Sequence, residues 1–188
     1  LNAEEGQKMQ EQPATTLTSG TVHEGRVFTV VRDLVQLPNG RQTTMDVIRH
    51  PASVVLIPML DPTHVVLVRQ YRYSIDRWIW ELPAGTLEPD ENVEAATRRE
   101  CQEETGYTPG TVVRVGAFYP TPGYCDELML FFRLTDLSAP LTPLQQDEDE
   151  ILEPRVFPIK DARLLVRSED VMDMKTILGL SLVSKELD

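Results

Sequence analysis

The stretch that decides the fold is GTLEPDENVEAATRRECQEETGY, residues 85–107. It predicts a helix from about Asn92 to Glu104, because acidic residues precede that span and a glycine follows it closely. Successive side chains on a helix are about 100° apart, so Glu100, Glu103 and Glu104 share one face. The sequence therefore predicts a cluster of carboxylates on one side of a short helix.

The carboxylate face continues the apolar face of the same helix, since Val93, Ala96 and Thr97 lie on that side one or two turns earlier. Like charges at this spacing cost about 0.2–0.5 kcal/mol per pair in water, and more beside a core. Arg98 and Arg99 would offset part of the charge. Hard divalent cations take oxygen ligands, so the pattern indicates a cation site. A solvated, glutamate-rich surface helix is the alternative.

The spacing of the fixed residues resembles the Nudix box, the signature of the Nudix hydrolase family. That signature has a glycine and a glutamate ahead of the run Arg-Glu-apolar-x-Glu-Glu-x-Gly-apolar. The resemblance reaches more loosely from Arg26 to about Leu165. It implies an α/β (α+β) protein, a Nudix-type α/β/α sandwich with a mixed sheet and an N-terminal antiparallel hairpin. The matching residues are Gly85, Glu91, Arg99, Glu100, Cys101, Glu103, Glu104, Gly106 and Tyr107.

The resemblance also implies a role for each polar residue of the box. Arg99 would orient the glutamates, and Glu91 would either hold Arg99 or assist a metal ion. Arg99 and Glu103 count among the catalytic residues, and the glycines would permit tight turns beside the helix. The expected cofactor is Mg²⁺, with Mn²⁺ as the other option. The implied ligands are the carboxylates of Glu100 and Glu104, then Glu103, and the backbone carbonyl of Ala84 or Gly85.

Outside the box, three stretches resemble the ADP-ribose pyrophosphatase branch of the family. They are VRQYRY at residues 68–73 ahead of ELPAG, the proline-rich loop FYPTPGY at residues 118–124, and DVIRHP at residues 46–51. Arg72 would bind the pyrophosphate or the terminal ribose, or else form a surface salt bridge. Phe28 would stack on adenine, or else belong to the core. The other candidates for substrate contacts are Asp46, Glu81, Pro122 and Gly123, with an ordinary Pro-Gly turn as the alternative for the last two.

The acidic loop QQDEDE, residues 145–150, is the predicted source of the general base. Glu148 is the first candidate and Glu150 the second, with a solvated acidic loop as the alternative. The implied reaction is the metal-dependent hydrolysis of ADP-ribose to AMP and ribose 5-phosphate. The alternatives are a broader nucleoside-diphosphate-sugar pyrophosphatase, including one for GDP-mannose, and a non-catalytic ADP-ribose sensor. A nucleoside triphosphatase would fit the box but not the N-terminal hairpin or Pro122.

Composition limits the classes of partner. The net charge of the 188 residues is −12, so we expect neither nucleic acid nor anionic membrane as a partner. No apolar stretch approaches membrane-spanning length and no signal peptide is visible, which predicts a cytoplasmic protein. Cys101 and Cys125 match no zinc spacing, and two reduced thiols are expected rather than a disulfide.

The pattern along the chain divides it into three regions. Residues 1–20 are polar and predict a flexible tail, whereas residues 21–50 predict a strand extension with an Asn-Gly hairpin turn. Such a hairpin has one face to bury, against either the rest of the chain or a second copy, and the resemblance implies that it joins two chains in a homodimer. Residues 51–188 would form the hydrolase domain, with further helices at about 159–166 and 172–187.

Overall fold

The structure, a computed structural model, describes residues 13–139 and 152–183. It combines strands with three α-helices in those ranges, which confirms the α+β class. The chain divides into two compact units, each described by itself below. The first consists of Leu1–His50 with Thr121–Asp126, and the second of Pro51–Pro120 with Glu127–Asp188.

The first unit contains an antiparallel sheet of three strands in the order β1-β2-β3. The strands β2 and β3 form the predicted hairpin, and Gly40 occupies the turn between them with a φ of 79°. A positive φ favours glycine because a side chain is disfavoured there. The bounds are β1 Thr15–Glu24, β2 Thr29–Gln36 and β3 Gln42–Arg49.

The strand β1 corrects the expectation of a tail over residues 1–20, because residues 15–20 pair with β2. Every residue of β1 is exposed, so the strand has no buried face. Its sequence therefore lacks the alternation of apolar and polar side chains that predicts a strand. Threonine and valine nevertheless suit an extended backbone, and the edge of β2 supplies the hydrogen-bond partners. Residues 1–12 lie outside the described ranges.

The second unit is built on a mixed sheet in which β4 and β9 pair in parallel and the other neighbours are antiparallel. The order is β10-β5-β4-β9-β8, with β6 added to β5 and β7 added to β4. The short β7 was not predicted. The bounds are β4 Ser53–Asp61, β5 His64–Arg72, β6 Arg77–Glu81, β7 Ala84–Thr86, β8 Thr108–Phe118, β9 Met129–Ser138 and β10 Leu152–Pro158.

The helices of the second unit are α1 Val93–Thr105, α2 Ile159–Arg167 and α3 Met174–Leu182. The predicted spans of α1 and α2 are correct to within a residue or so. The helix α3 begins later than expected because the Asp173 carboxylate caps it, accepting a hydrogen bond from the Thr176 N–H at 3.0 Å. None of the helices described within residues 13–139 and 152–183 is long and apolar enough to cross a membrane.

Alternation along the central strand β4 creates the layers of the second unit. Val54 and Leu56 point to one face, where they pack in a cluster with Cys101 of α1. Val55 and Ile57 point to the opposite face, where the cluster includes residues of α2 and α3. Helices thus cover both faces of the mixed sheet, as the α/β/α prediction requires. Both cysteines are free, as expected.

Candidate active site

The helix α1 is fixed at both ends. The Asn92 side chain caps its start, accepting hydrogen bonds from the backbone N–H groups of Glu94 and Ala95 at 3.0 and 3.1 Å. Gly106 ends it in the left-handed conformation, with a φ of 76°, and its N–H donates to the Gln102 carbonyl. The helix that carries the carboxylates therefore begins and ends where the sequence predicts.

The carboxylates of α1 lie at the border between core and solvent. Glu104 is buried together with Cys101, whereas Glu100 and Glu103 are partly exposed. One oxygen of Glu104 accepts a long hydrogen bond of 3.4 Å from the Ala84 N–H, which joins α1 to β7. Burial raises the pKa of the neighbouring Cys101 thiol to about 11, and the Glu104 charge adds to that effect. The thiol is therefore inert packing.

Gly85 lies on β7 directly beneath the Glu100 carboxylate. A Cβ atom at residue 85 would lie 1.9 Å from Glu100 Cδ and 2.1 and 2.4 Å from its oxygens. Gly85 lies within the strand and pairs with Val54, which restrains the backbone from moving away. The sequence explanation for this glycine, a tight turn, is therefore wrong. The residue provides room for a carboxylate to lie against the backbone.

Arg99 is the cation around which the carboxylates are arranged. Its Nε and Nη2 donate to the two oxygens of Glu91 at 3.0 and 3.1 Å, and its Nη1 lies 2.8 Å from Glu100 and 2.8 Å from Glu103. These hydrogen bonds, that of Glu91 foremost, hold the pKa of Arg99 above its usual range and lower the pKa of Glu91. Two roles were predicted for Glu91, and in the structure it holds Arg99.

Arg98 does not share that role, although the sequence suggested that both arginines offset the cluster. Its side chain turns to Glu94, one helical turn earlier, with Nη2 and Oε1 2.8 Å apart, and also reaches the Pro109 carbonyl. The two adjacent arginines therefore serve different faces of α1, because neighbouring positions on a helix point about 100° apart.

The carboxylates of α1 are of the chemical type that binds a hard divalent cation, although within residues 13–139 and 152–183 no three acidic, histidine or cysteine side chains are gathered in a geometry that could hold one. The C-terminal half of α1 carries three carboxylates, those of Glu100, Glu103 and Glu104. The Ala84 backbone lies next to the Glu104 carboxylate. Oxygen ligands of this kind suit Mg²⁺ or Mn²⁺, and the space above Gly85 is needed for a carboxylate rather than for an apolar contact.

A second group of charges precedes the box along the chain. Arg72 Nε and Nη2 each lie 2.7 Å from an oxygen of Glu81, in a bidentate pair. The Glu81 side chain is 2% exposed and that of Arg72 is 41% exposed. Glu81, predicted to contact substrate, thus directs its carboxylate inward. The salt bridge foreseen as the alternative for Arg72 is present, and nearly half of its side chain still faces solvent.

Lys175, which was not predicted to belong to the site, joins this group of charges. Its side chain is 8% exposed and its Nζ contacts Glu81 Oε2, while Asp173 Oδ1 lies 3.1 Å away. Burial acts to raise the pKa of Glu81, but Arg72 and Lys175 outweigh it and lower that pKa. The aspartate before Met-Lys-Thr predicts a helix cap. The contact between Lys175 and Glu81, which are 94 residues apart, is not predictable from the local sequence.

The remaining candidates fall outside the second unit or outside the described residues. Phe28 is 40% exposed, so its alternative place in the core is wrong. Asp46 is exposed and bonds Arg32 at 2.7 and 3.0 Å. Pro122 and Gly123 lie in a turn of the first unit, closed by the Cys125 N–H donating to the Thr121 carbonyl. The base candidates Glu148 and Glu150 lie outside the described residues.

Comparison with known proteins gives consistent matches. A sequence profile described as NUDIX domain matches residues 49–177. The ADP-ribose pyrophosphatase of Bacillus subtilis (strain 168) is 34% identical over 165 residues, covering 88% of this chain and 89% of that protein. The GDP-mannose pyrophosphatase of Salmonella typhimurium is 34% identical over 151 residues, covering 72% and 78%. A crystal structure of an ADP compounds hydrolase aligns with a TM-score of 0.82 and 26% identity, covering 94% and 95%.

Proposed function

The chain belongs to the Nudix hydrolase family, and from that premise we propose that it hydrolyses the pyrophosphate bond of ADP-ribose, releasing AMP and ribose 5-phosphate. The observation that carries the proposal is the group of carboxylates on one side of α1. Arg99 holds the Glu100 carboxylate, which lies against the backbone of Gly85. The choice of substrate is supported by the similarity to the ADP-ribose pyrophosphatase of Bacillus subtilis.

The cofactor in this proposal is Mg²⁺, with Mn²⁺ as the other option. Glu100 and Glu104 would be its principal ligands, with Glu103 and the Ala84 carbonyl beside them. A bound divalent ion neutralises the pyrophosphate and acidifies a water molecule. The net charge of −12 favours such a cation, since an acidic protein repels an anionic substrate unless positive charge is placed locally.

The contribution of the chain itself is to hold charged groups in place before the substrate arrives. Arg99 fixes the carboxylates of Glu100 and Glu103 through its Nη1, and Glu91 braces the other side of the guanidinium. Side chains that are already ordered need no rearrangement during the reaction, which lowers the barrier. Arg99 is thus a positioning residue for the ligand set.

Substrate recognition in this proposal depends on Arg72, whose half-exposed guanidinium would pair with the pyrophosphate or the terminal ribose. The exposure of Phe28 is consistent with stacking on adenine. Asp46, Pro122 and Gly123 remain proposed substrate contacts, and Glu81 acts through Arg72. Glu148 is our first candidate for the base that accepts the water proton, and Glu150 the second.

We further propose a homodimer that works in the cytoplasm. In the first unit, the whole of β1 is exposed, including Leu17 and Val22, and Val27 and Phe28 are exposed in the connection between β1 and β2. A small sheet with an uncovered face gains stability when it packs on another copy.

A broader pyrophosphatase of nucleoside-diphosphate sugars is the second candidate. The GDP-mannose pyrophosphatase of Salmonella typhimurium supports it, because its identity with this chain equals that of the Bacillus subtilis relative. The intact carboxylates of Glu100, Glu103 and Glu104 count against a sensor that binds without cutting.

A substrate panel with matched variants tests the proposal. The protein is incubated with Mg²⁺ and ADP-ribose, GDP-mannose, a dinucleoside polyphosphate or a nucleoside triphosphate, and the products are separated by chromatography. We expect AMP and ribose 5-phosphate from ADP-ribose, a loss of about 100-fold or more in Glu104→Gln, and none in Glu94→Gln on another face of α1. Preference for a triphosphate, or no turnover of any compound, would overturn the assignment.

A further inference from the structure

A row of four charged side chains joins α3 to the strands that precede the box. The row runs from Asp173 through Lys175 and Glu81 to Arg72, with each neighbouring pair in contact. Lys175 and Glu81 are 8% and 2% exposed, whereas Arg72 is 41% exposed. The row is therefore buried in its middle, and its far end faces solvent at Arg72.

Burial of an ammonium and a carboxylate together is a poor way to gain stability. The loss of hydration of both ions offsets most of their attraction, and apolar side chains of similar size often serve a fold better. A buried lysine thus calls for an explanation other than packing. The explanation lies in Glu81 Oε2, which accepts hydrogen bonds from both Arg72 Nη2 and Lys175 Nζ.

Sharing of that oxygen has two consequences for Arg72. The bidentate pair fixes the plane of the guanidinium to the plane of the Glu81 carboxylate, so whatever holds Glu81 also orients Arg72. In addition, Lys175 neutralises part of the Glu81 charge. Arg72 then retains positive charge toward an anion arriving from solvent, instead of being fully cancelled by its own partner.

The backbone around Lys175 is locked to the same strand. Thr176 Oγ1 accepts a hydrogen bond of 2.7 Å from the Leu82 N–H, and Asp173 caps the helix at Thr176. A Cβ atom at Gly179 would lie 2.2 Å from Leu82 Cδ1, which shows how closely α3 approaches that residue. Lys175 therefore has a fixed position relative to Glu81, next to Leu82 in the chain.

From these contacts we propose that Lys175 is a positioning residue for substrate binding, acting through Glu81 to orient Arg72 and to keep its charge available for a phosphate group. The inference rests on the proposed function of Arg72 as the residue that meets the pyrophosphate. Lys175 itself touches no substrate in this account, so its removal should affect binding of the anion more than the chemical step.

Steady-state kinetics of Lys175→Met test the proposal, with the exposed Lys160→Met as the control and thermal melting to verify folding. We expect KM for ADP-ribose to rise about tenfold while kcat changes less than about twofold. The affinity for Mn²⁺ alone should stay unchanged, and Lys175→Arg should recover part of the loss. A KM equal to that of Lys160→Met would overturn the proposal.

A double-mutant cycle separates this role from a general structural one. If Lys175 acts through Arg72, adding Lys175→Met to Arg72→Ala should raise KM less than about twofold further. Multiplication of the two separate effects would show that Lys175 acts elsewhere. Should Lys175→Met fail to fold, Lys175→Gln takes its place, since an amide would still donate to Glu81 but lacks the charge.

Absence of turnover would count against the proposed function but would not test the positioning role of Lys175. A nuclear magnetic resonance measurement tests that role without any substrate. The Arg72 Nε–H signal is assigned by its loss in Arg72→Lys. In Lys175→Met we expect this signal to shift and to exchange faster with water than in Lys160→Met. An unchanged signal would overturn the positioning role independently of any activity.

Discussion

At the scale of single residues, the site depends on close approach as much as on charge. Gly85→Ala would force the Glu100 carboxylate from a position only 1.9 Å from the new Cβ. Displacement of a proposed metal ligand by about 1 Å can cost about 100-fold in activity, so we expect a loss of that order in kcat/KM. Gly20→Ala is the matched control, because a Cβ there meets nothing within 4 Å. Equal activity of both variants would contradict the assigned role of Gly85.

The two adjacent arginines offer a second test at this scale. Lysine has no planar fork, so Arg99→Lys cannot contact Glu91, Glu100 and Glu103 together. We expect kcat/KM to fall about 10-fold to 100-fold and the affinity for Mn²⁺ to fall with it. Arg98→Lys should stay within about twofold of the unmodified protein, since Arg98 pairs with Glu94 instead. A similar loss in both variants would contradict this division of roles.

Residue roles were predictable from the sequence where the partners lie within one helix or its flanks. The pairing of Arg99 with Glu103 follows from their spacing of four residues. The partnership of Lys175 with Glu81 does not, because it depends on how α3 packs against the end of β6. The need for Gly85 was recognised, but its cause lies in tertiary contact with Glu100 rather than in a turn.

At the scale of elements, the helix α1 owes its exact start to a side-chain cap. Asn92→Ala removes the acceptor for the Glu94 and Ala95 N–H groups and should lower the free energy of unfolding by about 1 kcal/mol. Asn92→Asp retains the acceptor and should cost only a few tenths of that amount. Chemical denaturation of both variants measures the difference, and equal stability would show that the cap is immaterial.

Element prediction failed where local sequence carries no periodic signal. The strand β1 exposes every residue, so no alternation marks it, and β7 has only three residues, Ala84–Thr86. Both exist because a neighbouring strand offers hydrogen bonds: β2 for β1 and β4 for β7. The helix α1 and the buried strands β4 and β5 were predictable because caps and apolar runs are local.

At the scale of the whole molecule, the proposed homodimer is directly measurable. Light scattering during gel filtration should give twice the chain mass of 21.3 kDa. The expectation rests on the small first-unit sheet, whose strand β1 is exposed along its length. A mass of one chain at micromolar concentration would contradict it.

In the proposed reaction, the carboxylates of α1 bind the divalent ions that act on the pyrophosphate. The most direct measurement is anomalous X-ray diffraction from crystals containing Mn²⁺ and a non-hydrolysable ADP-ribose analogue. We expect a manganese peak bonded to oxygens of Glu100 and Glu104, with the analogue's phosphates beside it. A bound analogue with no manganese at these side chains would contradict this expectation.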